Sequence, residues 1–417
     1  MHMEEDDEAL RICHYCVGDK ILKREIRYDG VAGECSDCGK VRASWTIEQL
    51  AERIRPVFEL HHQLTPTQPD EMEDSMLRHG MMNGWDRKGD PAGELLQLFA
   101  GLSEETANAV VEALAEGPGY NMFDVDTEDP FGGHALYVAS DFDVSEVGRQ
   151  WDYLENQVHH QARFFNNDVR CYLGEMFQGI EAKQTFGATS VIRVIEPGAP
   201  RAHVYRARVA SKWQEIETIL SDLPTQLGAP NGRTARANRM NANGIGVFYG
   251  ALEPQTCIAE VRAPVGGSVV LGKFEFVQQV RLLDLPALQK VLVTHSPFHP
   301  DYKRIAEKCA FLRILAERFS APVLPNDEAF DYLFPQVVCE FLSEVVGFDG
   351  VAFASSQRGG KGTNIALFPK ASVLEPLPRG VRTSLTTSYD EDELPTLLIE
   401  TLPEQASAPK DEQIWGF

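Results

Sequence analysis

The chain has no run of 18 consecutive apolar residues, so it offers no segment long enough to cross a bilayer as a helix. Basic residues are missing from its start, where Glu4, Glu5, Asp6, Asp7 and Glu8 stand where a secretory leader carries lysine or arginine. A spread of paired cysteines, the mark of a small secreted scaffold, is also lacking. Cys13, Cys16, Cys35 and Cys38 are clustered, while Cys171, Cys257, Cys309 and Cys339 lie singly within apolar segments. Together these absences predict a cytoplasmic protein with reduced thiols. Positive charge is short overall: 39 basic residues face 62 acidic ones, a formal net charge of −23. That balance excludes a general nucleic-acid coat and argues against an anionic membrane as partner, since either needs a basic field over much of the surface.

What remains is ordinary globular usage, 417 residues with 43% apolar and 24% charged, enough for about two to four domains. The charge is uneven. Residues 1–195 hold 17 basic and 36 acidic groups, residues 196–375 hold 19 and 18, and residues 376–417 hold 3 and 8. The turn-rich Glu196-Pro197-Gly198-Ala199-Pro200 marks the middle boundary. The last segment, rich in Pro, Ser, Thr and acid, is expected to be mostly extended or disordered. The expected division is a zinc ribbon over 1–45, a helical domain over 46–195, a chemistry-bearing domain over 196–375 and an acidic tail over 376–417.

Cys13-x2-Cys16 and Cys35-x2-Cys38 stand 18 residues apart, within the spacing of a four-thiolate zinc ribbon. Four cysteines close the coordination shell and leave no place for water or substrate, so the ion is expected to be structural. After it, Thr46 and Gln49 are placed as a capping box for a helix carrying Ile47, Leu50, Ala51, Ile54, Val57 and Phe58, with Pro56 expected to kink it. Further helices are expected over Ser103 to Glu116, along the stripe Val147, Trp151, Leu154, Val158, Ala162 and Phe165, and along Val169, Leu173, Met176, Phe177 and Ile180.

Beyond residue 200 strand-like and helix-like segments alternate. HVYRARV (203–209) reads as a strand with Arg206 and Arg208 on one face, and IGVFYGAL (245–252) as a second. Pro254 opens a short helix containing Ala259 and Glu260. Asp301 to Phe319 and Leu333 to Val346 read as amphipathic helices. GVAFAS (350–355) and NIALF (364–368) read as buried strands joined by the basic, glycine-rich loop 357–362. Six arginines fall between 201 and 239 (Arg201, Arg206, Arg208, Arg233, Arg236 and Arg239). Such forks recognise phosphate or carboxylate, and Arg206 stands in an apolar strand where an unpaired charge is costly.

The blocks Val204-Tyr205-Arg206-Ala207-Arg208, Asn238-Arg239-Met240-Asn241-Ala242-Asn243-Gly244 leading to Val247-Phe248-Tyr249, Ala259-Glu260, and Asp349-Gly350-Val351-Ala352-Phe353-Ala354-Ser355 resemble, in order and spacing, the successive blocks of the RES domain. The N-terminal half resembles the zinc-plus-helical extension (HEPN/RES N-terminal domain) of some RES proteins, through the two knuckles and FFNNDVRCYLGEMFQGIE (164–181). The resemblance implies an α+β chain: a zinc ribbon and helical domain followed by an ADP-ribosyltransferase-like RES domain. It further implies a toxin of a toxin–antitoxin pair that cleaves the nicotinamide–ribose bond of NAD+ by hydrolysis or phosphorolysis, with ADP-ribosyl transfer to a protein as the alternative.

Arg206, Arg239, Tyr249, Glu260 and Ser355 match the family's residues, although Ser356 duplicates the serine and Phe353 replaces a tyrosine often seen there. Glu260 would stabilise an oxocarbenium-like ribose, Arg206 and Arg239 would hold the pyrophosphate, Tyr249 would wall the nicotinamide, and Ser355 would bond the ribose or the amide. Asn364 or the glycine-rich loop would add phosphate contacts. An antitoxin protein is the implied partner. A reading of another class rests on Arg55 and His61, which resemble the Arg-x4-6-His element of HEPN-type ribonucleases.

Overall fold

A computed structural model describes residues 9–116, 129–140, 145–200, 202–264, 267–324, 326–372, 374–376, 379–381 and 398–403. Arg201 and Gly117-Pro118, directly after the helix expected over Ser103 to Glu116, lie outside the described residues. The chain forms two compact units, Met1–Glu146 with Val293–Glu307, and Val147–Leu292 with Lys308–Phe417. Among the described residues no helix is long and apolar enough to cross a membrane.

The first unit begins with a three-stranded sheet of β1 (Arg11–Cys13), β2 (Val31–Glu34) and β3 (Val41–Thr46), in the order β1-β3-β2, with α1 (Lys20–Asp29) between its first two strands. Asp19 caps α1 by accepting from the Ile21 and Leu22 amides. In α2 (Ile47–His61) the capping box is present: Thr46 accepts from the Gln49 amide and Gln49 from the Thr46 amide. Helices α3 (Glu71–Arg78), α4 (Ala92–Ala100) and α5 (Glu104–Ala115) follow, with β4 (His62–Leu64), β5 (Asp90–Pro91) and β6 (Leu136–Ala139) in a small sheet ordered β4-β6-β5. Leu50, Ile54 and Phe58 recur every fourth residue of α2 and are fully buried, with Leu96, Val110 and Leu114 from α4 and α5 in the same core. Each such side chain contributes about 1.5–3 kcal/mol on burial. Phe298, from the distant segment Val293–Glu307, is buried in this core as well, its ring 5.0 Å from that of Phe99.

The second unit takes in α6 (Ser145–His160) from Val147 onward and α7 (Asn167–Phe177). Sequence alone grouped these helices with the preceding ones, but their aromatic stripes point elsewhere. Trp151 packs 5.7 Å from Phe311 and 4.8 Å from Phe334, and Phe177 packs 5.7 Å from Phe311. The expected stripe also ends early: α6 stops at His160, Ala162 is exposed and Phe165 is 95% exposed. Asn166 then starts α7 by accepting from the Val169 amide, so the second stripe has a new helix axis and does not extend the first.

A ten-stranded sheet forms the centre of this unit. Its strands are β7 (Ile192–Ile195), β8 (His203–Ala210), β9 (Phe248–Ala251), β10 (Ser268–Phe276), β11 (Val280–Asp284), β12 (Gly350–Ala354), β13 (Thr363–Leu367), β14 (Leu374–Pro376), β15 (Arg379–Val381) and β16 (Leu398–Pro403). The order is β15-β16-β10-β8-β9-β13-β12-β11-β7, with β14 also on β10. Pairing is antiparallel except for β10 with β16 and β11 with β12. Within the expected acidic tail the described residues are strands, and the remainder lies outside them. Two cores flank the sheet: Val204, Phe248, Val270, Phe274 and Ile365 in one, Tyr205, Ala251 and Leu271 in the other, as strand alternation requires. Helices α8 (Trp213–Ser221), α9 (Leu223–Leu227), α10 (Pro254–Glu260), α11 (Leu285–Leu288), α12 (Tyr302–Ser320), α13 (Glu328–Asp331) and α14 (Leu333–Phe341) complete the elements, α14 running into a π-helical turn over Leu342–Val346. Strand β9 is shorter than the sequence suggested. The Asn241 side-chain Nδ2 donates to the carbonyls of Arg236, Ala242 and Ile245, which removes Ile245 from the ladder.

Candidate functional site

Register brings the relevant strand positions into one row. Phe353 of β12 pairs with Asn364 of β13, Asn364 with Ala251 of β9, and Ala251 with Tyr205 of β8. Helix α10 starts on Pro254, whose missing N–H costs nothing at a first helical position, and buries Thr256 and Cys257. Its last residue is Glu260. Ser355 Oγ donates to Glu260 Oε1 at 2.7 Å, and Asn364 Nδ2 donates to the same oxygen at 2.7 Å. No described group bonds Oε2, and Glu260 is exposed on a cavity of about 640 Å³.

Two further bonds fasten the β12–β13 hairpin to α10. Arg358 Nη1 donates to Thr256 Oγ1 at 2.9 Å, and the Thr363 amide donates to Glu253 Oε2 at 2.8 Å. The loop passes so close that a Cβ on Gly362, which has φ +86°, would lie 2.0 Å from Thr256 Oγ1. Of the groups expected to add phosphate contacts, Asn364 donates to Glu260, and Arg358 of the glycine-rich loop donates to Thr256.

The cavity wall includes Arg206, Arg239, Tyr249, Glu260, Asn364 and Ser356. Ser355 is fully buried with its hydroxyl on Glu260 and is not among the residues of that wall, whereas the exposed Ser356 lines the cavity. Arg206 Nη1 donates to the Gly228 carbonyl at 2.8 Å, and its guanidinium lies over the Phe248 ring. Arg208, on the same face of β8, reaches Gln226 Oε1 at 2.7 Å. Burial, with Arg208 as a like charge, lowers the Arg206 pKa from its ordinary value. Arg239 donates to the Phe319 carbonyl and to the Ala321 carbonyl (2.5 Å) and lies over the Tyr332 ring. Tyr249 donates to Asn241 Oδ1 at 2.8 Å and accepts from the Met240 amide; burial raises its pKa, so the phenol stays neutral. Cys257 is pushed up to about 12, chiefly by burial, and is an unreactive thiol. Sequence reasoning missed Arg262, Glu328 and Tyr332 as wall residues, since only the return of the chain from α12 through α14 makes the last two neighbours of Glu260's cavity.

At the other end of the chain, the sulfurs of Cys13, Cys16, Cys35 and Cys38 all lie within 4.8 Å of one another. Cys13 Sγ is 3.8 Å from Cys16 Sγ and 3.7 Å from Cys38 Sγ. A tetrahedral ion at about 2.3 Å from each thiolate sets sulfurs about 3.8 Å apart, so the four fit zinc. The Cys13 amide donates to Cys35 Sγ at 3.3 Å, orienting that ligand. Arg55 and His61 both lie on α2. Arg55 donates to the Leu114 carbonyl and pairs with Glu59, and the His61 ring packs on Phe99 and Tyr302, its pKa lowered by burial.

No curated protein matches the chain. The family model of the RES domain matches residues 203–388, the stretch that contains Arg206, Arg239, Tyr249, Glu260 and Ser355 and the whole wall of this cavity. Over residues 203–388 this chain is thus similar to the RES domain.

Proposed function

We propose that the cavity cleaves the bond between nicotinamide and ribose in NAD+, passing ADP-ribose to water or phosphate, and that the chain acts as the toxin of a toxin–antitoxin pair. The observation that carries this reading is the carboxylate of Glu260, held through Oε1 by Ser355 and Asn364 while Oε2 is left without a described partner beside an open cavity. Heterolysis sends the bonding pair to nicotinamide, which leaves neutral, and positive charge develops on C1′ and the ring oxygen of the ribose. A fixed carboxylate stabilises that charge without reorganising, an effect worth about 10²–10³ in rate for a single preorganised group. Water then attacks C1′ and loses its proton, or phosphate attacks and remains attached.

Arg206 and Arg239 keep N–H groups beyond those bound to main-chain carbonyls and hold the pyrophosphate, and the neutral Tyr249 walls the nicotinamide side. Ser355 acts through Glu260. Loss of NAD+ harms the cell that makes the enzyme, which is the reason to expect an antitoxin.

The test is to incubate the purified chain with NAD+, with and without phosphate and a protein mixture, and to identify products by mass. Nicotinamide with ADP-ribose or its phosphate ester is expected from the native chain and not from Glu260→Ala. ADP-ribose attached to protein selects the transferase alternative. Intact NAD+ in every condition, with the protein folded, overturns the reading.

A further inference from the structure

Arg262 lines the same cavity two residues after Glu260, and it is unlike the other arginines of the wall. Arg206 has a main-chain carbonyl as partner and Arg239 has two. No hydrogen bond or ion pair to a described residue engages the Arg262 side chain, which is exposed and is not paired even with Glu260 or with Glu328 of the same wall. Its backbone is held at φ +45°, one of two non-glycine residues in the left-handed region among the described residues. The conformation is defined: the Arg262 amide donates to the Ala259 carbonyl at 3.3 Å, closing α10. A residue with a Cβ is strained there, a strain that concentrates at ligand-binding and catalytic positions. Glycine would relieve it and would present no charge.

The structure assigns Arg262 as an oxyanion-docking residue of this cavity, taking a phosphate-type group. The assignment rests on the reading of the cavity as a dinucleotide site. A guanidinium with no partner among the described residues beside the cavity offers a bidentate seat for phosphate oxygens, and its neighbour Glu260 fixes which part of the ligand lies next to it. The chemistry has two sources, the pyrophosphate of the dinucleotide and inorganic phosphate arriving as the acceptor.

The full chain and the variants Arg262→Gln, Arg262→Lys and Arg262→Gly are titrated calorimetrically with inorganic pyrophosphate, inorganic phosphate, ADP-ribose and nicotinamide riboside, the last carrying no phosphate. Arg262→Gln is expected to weaken pyrophosphate and ADP-ribose by about tenfold or more and riboside by less than about twofold, with Arg262→Lys between, since an ammonium keeps the charge and loses the fork. Arg262→Gly is expected to lose the same affinity while melting no lower than the native chain, which separates binding from folding.

In turnover, a raised KM for NAD+ with kcat changed less than about threefold places the dinucleotide's pyrophosphate on Arg262, and a raised KM for phosphate alone places the acceptor there. Unchanged affinity for every phosphate-bearing probe in a folded Arg262→Gln protein overturns the assignment, as does a native chain that binds none of them. A native chain that binds pyrophosphate through Arg262 and leaves NAD+ intact overturns the NAD+ reading alone. NAD+ turnover untouched in Arg262→Gln, with unchanged pyrophosphate affinity, overturns this assignment alone.

Discussion

Arg11, Arg53 and Arg55 of the first unit and the open edge of the cavity in the second differ in their partners. In the first, Arg53 holds Glu25 at 2.9 Å and the Phe298 carbonyl at 2.8 Å, Arg11 holds Ser44 at 3.0 Å, and Arg55 is taken by the Leu114 carbonyl. In the second, the cavity wall keeps Glu260 Oε2 and the Arg262 guanidinium without partners among the described residues. Groups engaged inside a fold stabilise it; groups left open are available to a ligand. On the proposed reading, scaffolding falls to one unit and chemistry to the other, although the first carries most of the chain's acidic excess.

Perturbing the thiolates probes the scaffolding side hardest. Chelation, or Cys35→Ser, is expected to remove a bound zinc and cost on the order of several kcal/mol, read as lost metal stoichiometry and a missing or lowered thermal transition. Retention of the transition without metal would break the comparison on that side. On the other side, Glu260→Gln keeps a carbonyl oxygen for Ser355 and Asn364 and removes the charge. NAD+ turnover is expected to fall about 10³-fold, roughly 4 kcal/mol, with the melting temperature within about 2 °C of native. If His61→Phe instead abolished toxicity and Glu260→Gln did not, the roles of the units would be exchanged.

Gly362→Ala joins both effects in one place. The new Cβ meets Thr256 Oγ1 at a position of φ +86°, so a loss of about 1–3 kcal/mol is expected, together with reduced turnover as the hairpin carrying Ser355 and Asn364 shifts from Glu260. Denaturant unfolding and NAD+ assays on one preparation check it.

The smallest expected effect is on pH. Burial lowers the pKa of His61 and of His62, so the folded first unit resists their protonation. Below the ordinary value of 6.5 the unfolded chain takes up protons that the folded one refuses, and stability is full above pH 6.5 and declines as pH falls through this range. Melting curves from pH 7 to pH 5 should show the slope, and His61→Phe should flatten it.

How much of this was legible in sequence depends on the range of the interaction. The knuckle spacing, the Thr46–Gln49 box, Pro254 opening α10 and the β12–loop–β13 hairpin are local patterns, and each has its counterpart in the structure. The convergence of Ser355 and Asn364 on Glu260 was not readable from periodicity. Those residues lie 95 and 104 positions from Glu260; ordered sequence blocks tied Ser355 to Glu260, and nothing tied Asn364 to it. Phe165 was misassigned to a buried stripe because helical spacing persists across a break that Asn166 converts into a new start. Arg262 carried no signal at all, since a backbone dihedral leaves no trace in composition.

Phe298 has a consequence in time. The first unit's core includes a ring that follows Glu146 by about 150 residues in the chain. At synthesis rates of about 5–20 residues per second, roughly 8–30 s pass between the emergence of residue 146 and that of the missing ring. Throughout that interval the unit that carries the four cysteines waits with Phe99 and Arg53 lacking their partner from Phe298, so a nascent chain halted before residue 298 ends in a state whose N-terminal unit is still unfinished.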